Sequence, residues 1–196
     1  MLLSASVVWA LVPGLSMRLR RWGTLVEPGG RSSHRRGTPA HGGLALFVPV
    51  AATLAWQGIV ADARLLGLLG ASALLLALGT LDDAHPVRPL TKLALQTVAA
   101  LTLWAAGYRV HAVVLEPLGT LAPLGSSALL LVVWVLLVTN AWNLVDGTDG
   151  LASALGLIAA TALALAGAHA GLAAVVAGAC LGFLRHNLPR AHIFLG

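Results

Sequence analysis

Long apolar stretches alternate along this chain with short polar ones rich in Asp, Asn, Gly and Arg. Seven apolar segments stand out, at roughly 1–17, 43–61, 65–81, 92–107, 126–142, 150–166 and 170–186. Each approaches the ~20 residues a helix needs to cross the hydrocarbon of a bilayer, some falling short. The pattern predicts an all-α polytopic membrane protein of about seven transmembrane helices. Between the last two segments, Gly167, His169 and Gly171 alone supply a turn. From Tyr108 to Leu124 apolar residues interleave with Pro117, Gly119 and Pro123. That spacing predicts a short β-hairpin outside the membrane, near 108–124.

Composition narrows the class. Apolar residues make up 58% and charged residues 10%, with a mean hydropathy of +0.89. A soluble domain carries about a quarter charged residues, so these few cannot coat a globule. They suffice to cap membrane helices, and residues 1–196 read as a single transmembrane domain. The pI near 11.1 reflects a net charge of only +5, scattered between apolar runs. A nucleic-acid surface needs its basic residues clustered on one polar face, so no nucleic acid is expected. Anionic lipid headgroups and phosphates suit this charge better. Cys180 is the single cysteine, which excludes an intrachain disulfide and a cysteine-based zinc site.

Arginine and lysine orient the helices. With the N-terminus outside, the loops after segments 1, 3, 5 and 7 hold Arg18, Arg20, Arg21, Arg31, Arg35, Arg36, Arg88, Lys92, Arg185 and Arg190. Arg64 and Arg109 fall on the opposite side. The excess marks the first face as cytoplasmic. The arginines that follow Met1–Met17, without a basic stretch before it, predict a retained helix rather than a cleaved leader. Asp82, Asp83, Asp146, Asp149 and Glu27 share the cytoplasmic face, so loops distant in sequence converge there.

Three of these loops carry candidate chemistry. Asp82 and Asp83 end segment 3 and are followed by Arg88, Pro89, Lys92 and Gln96. Adjacent carboxylates at a membrane boundary repel each other and resist desolvation, so they call for a cation. Lys92 stands at headgroup depth, where an ammonium can hold a lipid phosphate as a point charge. In the second loop, Asn140, Asn143, Asp146 and Asp149 recur every three residues, with Gly147 and Gly150 among them. On a helix this spacing stacks the polar groups in one stripe. Such oxygen-rich groups suit a hard cation such as Mg²⁺, and amides suit a nucleoside or sugar hydroxyls. In the third, the basic loop Glu27–Gly43 anchors the inner face. Its His34, Thr38 and Gly42–Gly43 pair add the character of a phosphate neighbour.

These residues carry a resemblance that spans the chain in order: RSSHRRGTPAHGG, LDD with the downstream PLTKLALQ, NAWNLVDGTDGLA, and GFLRHNLPRAHIFLG. The chain resembles the polyprenyl-phosphate N-acetylhexosamine-1-phosphate transferases of glycosyltransferase family 4. That family includes the phospho-MurNAc-pentapeptide transferases and the enzymes that start O-antigen or teichoic-acid linkage synthesis. The resemblance implies a Mg²⁺-dependent enzyme of the bacterial inner membrane, active at its cytoplasmic face. It would convert a UDP-N-acetylhexosamine and undecaprenyl phosphate into the lipid-linked sugar pyrophosphate and UMP. Asp82, Asp83, Asp146 and Asp149 would be catalytic, with Asp83 and Asp149 near the metal. His34, Lys92, Asn140, Asn143 and Asn187 would bind substrate. Direct attack and an aspartyl intermediate both stay open, as does a homodimer.

In this family the equivalent of IFLG runs on into an aspartate important for metal binding and then further helices. The resemblance therefore implies that residues 1–196 are the N-terminal portion of the transferase fold and inactive alone. A non-catalytic membrane remnant is the alternative, and a cation-coupled transporter a weaker one. A transport path places ionisable groups at mid-membrane depth, whereas these acids gather at helix ends.

Overall fold

The computed structural model describes residues 1–22, 25–26, 38–39, 41–56, 62–110, 113–115, 119–121, 127–167, 169–189 and 191–195. The expected alternation appears as seven helices among the described residues: α1 (Leu2–Trp22), α2 (Gly42–Trp56), α3 (Ala63–Ala84), α4 (Pro89–Ala105), α5 (Ser127–Val145), α6 (Leu151–Leu165) and α7 (Ala170–Asn187). Helices α1, α3, α5 and α7 are long and apolar enough to cross a membrane. The 15-residue α2 and α6 are about 22 Å long at ~1.5 Å per residue, short of the ~30 Å hydrocarbon core. The protein is an all-α polytopic membrane protein, apart from two small ribbons among the described residues.

One ribbon is the expected hairpin. Strands β3 (Val113–Leu115) and β4 (Gly119–Leu121) pair antiparallel, with Val113 opposite Leu121. The other was not anticipated. Strands β1 (Leu25–Val26) and β2 (Thr38–Pro39) pair antiparallel around the basic loop. Residues 27–37 of that loop, His34 among them, lie outside the described residues.

The helices form two packed groups. α7 packs on α6 and α1, and α2 packs on α1 and α7; α4 lies between α3 and α5. Narrower contacts of α2 with α3 and of α5 with α6 join the groups. The first group is centred on Val8, Val12, Leu19, Ala45, Ala179, Phe183 and Ile193. The second has Ala100, Leu131 and Val135 at its centre.

In a bilayer, lipid tails are as apolar as the helices, so close backbone approach drives association. Gly178 and Gly182 provide it on α7. A Cβ on Gly178 would collide with the Met1 carbonyl and the Ser4 hydroxyl, and one on Gly182 with the Ala5 carbonyl.

The segment 191–195 follows α7 and crosses the start of α2. Phe194 O accepts from Gly42 N at 2.9 Å, and Leu195 O from Gly43 N at 2.7 Å. A helix start leaves its first N–H groups without intrahelical partners, and these two carbonyls satisfy a pair of them. Residue 42 must be small: a Cβ there would meet Phe194 O and the Phe183 ring.

Candidate active site

The C-terminal ends of α3, α5 and α7 and the N-terminal ends of α2 and α4 meet at one end of the bundle. A cavity of about 300 Å³ opens there. Gly79, Asp82 and Asp83 line it from α3, Lys92 from α4, and Val138, Thr139, Trp142 and Asn143 from α5. Asp146, one residue beyond α5, and Leu195 complete the lining.

The two adjacent acids have different partners. Asp82 ties down the α3–α4 turn: its Oδ1 accepts from Val87 N at 2.9 Å and its Oδ2 from Lys92 Nζ at 2.8 Å. Pro89 at the start of α4 sets the backbone angle of the first helical turn, where its missing N–H costs nothing. Lys92 follows three residues later, within reach of Asp82. Asp83 turns instead toward α2, where its Oδ2 stands 3.4 Å from His41 Nδ1. Two neighbouring carboxylates are thus drawn to separate cationic or donor groups, easing their mutual repulsion.

The expected stripe of four polar residues breaks into three environments. Asn143 and Asp146 line the cavity. Asn140 is not among the lining residues; its Nδ2 donates to Gln96 Oε1 at 3.0 Å and to Leu136 O at 2.7 Å. Gln96 is 3% exposed, so this amide pair locks α4 to α5 beneath the cavity. Asp149 also lies off the lining, and its Oδ2 accepts from Ala191 N at 3.2 Å. The stripe fails because α5 stops at Val145. The chain then turns to Gly150, whose φ of 73° is a left-handed conformation that glycine adopts freely.

Asn187 differs most from its expected role as a substrate contact. It is 3% exposed. Its Oδ1 accepts from Gly150 N at 2.9 Å, with Ser153 Oγ at 3.5 Å, while its Nδ2 donates to Ile193 O at 2.9 Å. This is a positioning residue, holding α6, α7 and the 191–195 segment together. The Gly42–Gly43 pair, expected as a phosphate neighbour, gives those two amides to Phe194 and Leu195 instead. Among the described residues, no three His, Cys, Asp or Glu side chains stand close enough to hold a metal unaided.

Sequence reasoning assigned no role to four contributors. His41 meets Asp83 from 42 residues away in sequence, and no local spacing announces that. Gln96 was noted beside Lys92 but given no partner, although an amide within an apolar run is itself a signal of one. Trp142 and Leu195 stood within the quoted motifs without a role of their own, and both line the cavity. Both also line a second, apolar space of about 330 Å³, walled by Leu46, Ala152, Gly156, Ala160, Val176 and Cys180 among others.

Fold and site together define a polytopic membrane protein with an acid- and amide-lined cavity at one end of its helices. A sequence profile for glycosyl transferase family 4 matches residues 65–196. The decaprenyl-phosphate N-acetylglucosaminephosphotransferase of Mycobacterium tuberculosis (strain ATCC 25618 / H37Rv) is 35% identical, over 99% of this chain and 54% of its own length. The probable undecaprenyl-phosphate N-acetylglucosaminyl 1-phosphate transferase of Bacillus subtilis (strain 168) is 30% identical, over 100% of this chain and 56% of its own. The phospho-N-acetylmuramoyl-pentapeptide-transferase of Synechococcus sp. (strain RCC307) is 35% identical, over 99% of this chain and 59% of its own. The chain belongs to glycosyl transferase family 4. It spans about half the length of the curated relatives it matches.

Proposed function

We propose that this protein serves the transfer of an N-acetylhexosamine-1-phosphate from a UDP-sugar to undecaprenyl phosphate, at the cytoplasmic face of a bacterial inner membrane. One observation carries the reading: Asp83, Asn143, Asp146 and Lys92 face a single cavity at helix ends, at the depth where a lipid phosphate and a soluble nucleotide-sugar can meet. The names of the relatives supply the substrate class, and the distribution of arginine supplies the side of the membrane.

The residues fit the chemistry. A phosphate monoester is already anionic at neutral pH, so much of the barrier lies in bringing two anions together. Lys92 offers an ammonium to the lipid phosphate, and its pairing with Asp82 keeps that charge at the cavity wall. Asn143 offers an amide to sugar or base. Asp83 and Asp146 are carboxylates that reach the cavity, one from α3 and one from just beyond α5. Mg²⁺ takes one or two carboxylates together with substrate phosphates and retained waters, so this donor set fits it. Asp83 with Asp146 would hold it; Asp149 is directed to Ala191 N and would act through the 191–195 segment. The ion, when bound, supplies charge neutralisation across the diphosphate.

The test uses purified protein in nanodiscs with undecaprenyl phosphate, labelled UDP-N-acetylglucosamine and Mg²⁺. Mg²⁺-dependent nucleotide-sugar binding is expected and should be lost in Asp83→Asn and Asp146→Asn; label in the organic-soluble lipid would overturn the expectation that residues 1–196 are inactive alone. Absence of both transfer and Mg²⁺-dependent nucleotide-sugar binding would defeat the proposal.

A further inference from the structure

We propose that His41 is a positioning residue for Asp83, presenting Nδ1–H to the carboxylate and so setting which of its oxygens faces the cavity. Its value to catalysis rests on the function proposed above; the contact itself does not.

The backbone holds His41 in an unusual place. Its φ is 69°, the left-handed region that a side chain with a Cβ rarely enters. Such a conformation persists where the surroundings over-determine it. Here they do: the next two residues are bound to Phe194 O and Leu195 O, and His41 O accepts from Leu44 N at 3.2 Å. The ring is carried to the start of α2 and aimed across at α3.

The side chain is buried, with His41 8% exposed. Its Nδ1 is sealed from solvent and has no partner in hydrogen-bond geometry among the described residues. Asp83 Oδ2, at 3.4 Å, is an acceptor that a small rotation of either side chain brings into range. A buried ring nitrogen requires such a partner. An unprotonated Nδ1 would set its lone pair against a carboxylate oxygen, so the tautomer with the proton on Nδ1 is the one this geometry favours. His41 is absent from the cavity lining while Asp83 belongs to it. The imidazole therefore acts through Asp83 and touches no substrate.

The same ring links two parts of the molecule. The 191–195 segment is fixed by Asn187 and Asp149, it caps the start of α2, and α2 delivers His41 to Asp83. Displacement of that segment would be felt at Asp83 through this side chain.

Histidine-selective nitrogen-15 NMR of the full chain in nanodiscs tests the contact, the His41 signals being those lost in His41→Asn. At mildly alkaline pH the wild-type His41 ring is expected to carry its proton on Nδ1. Asp83→Ala should move that proton to Nε2, and Asp82→Asn should leave it in place. A wild-type ring protonated on Nε2 alone, or His41 signals indifferent to Asp83→Ala, would overturn the inference whatever the activity. In the transfer reaction, His41→Ala should lower kcat about ten-fold or more, as loss of a supporting hydrogen bond does, with KM for the nucleotide-sugar nearly unchanged. His41→Asn keeps a donor and tolerates positive φ, and should restore most of the rate; equal loss in both variants would count against positioning. A protein with the Nδ1 signature intact but without transfer or nucleotide-sugar binding would sink the proposed function and leave the contact standing.

Discussion

At the scale of single residues, the site separates groups that face the cavity from groups that hold the walls. Asp83 and Asp146 belong to the first kind. Where the chain supports transfer, replacement of either by Asn is expected to lower it about 100-fold or more, the scale of lost proton or charge chemistry, with the lipid product measured by extraction. Lys92→Met should instead raise KM for the polyprenyl phosphate more than it lowers kcat. Asn187 belongs to the second kind. Asn187→Ala strands the buried Gly150 N–H and Ile193 carbonyl, and should cost about 1–3 kcal/mol, read as a lower Tm by circular dichroism in detergent. The types and numbers of these residues were legible in sequence, because acids and amides are conspicuous in an apolar chain. Their directions were not. A three-residue spacing implies a stripe as long as the helix continues, and α5 ends at Val145, between Asn143 and Asp146. Asp149 consequently points into the protein's own backbone, as Asn187 does from the end of α7.

Among the elements, the helices were the easiest to foresee. Hydropathy marks a spanning segment because the backbone must satisfy its own hydrogen bonds in lipid, and all seven expected segments correspond to helices. The β3–β4 hairpin was legible through its Pro and Gly turn formers. The β1–β2 pairing was not, since two residues on each strand are too few to display an alternation. Gly178 and Gly182 define the most demanding interface, where α7 meets the backbone of α1. Gly178→Val or Gly182→Val should destabilise the protein by about 1–3 kcal/mol, the range for overpacking. Limited proteolysis is a direct check: cleavage near the start of α1 should quicken in either variant, and unchanged protection would contradict the packing described. Gly171, which has open space around it, is the matched control.

For the molecule as a whole, the division into two helix groups lay beyond sequence reasoning. A helix face turned to lipid and one turned to another helix have similar composition in a membrane, so hydropathy alone cannot say which helices are neighbours. The convergence of the polar loops was legible, because each odd-numbered helix must end on the same side. That yields a topological prediction. With Cys180 replaced by Ala, single cysteines at positions 88, 143 and 146 should react with an impermeant maleimide in inverted vesicles and stay unlabelled in intact cells. A cysteine at position 64 should do the reverse. Labelling of the first three from outside would contradict the orientation proposed here.

Trp142 belongs to the walls of both spaces, polar on one side and apolar on the other. The chain therefore contains its own optical reporter. With the other five of its six tryptophans changed to Phe, emission from this indole should answer separately to the two sides. A water-soluble nucleotide ligand would shift its wavelength from the polar side, and a brominated hydrocarbon chain would quench it from the apolar one. Two kinds of occupancy could then be followed in one cuvette, without attaching a dye.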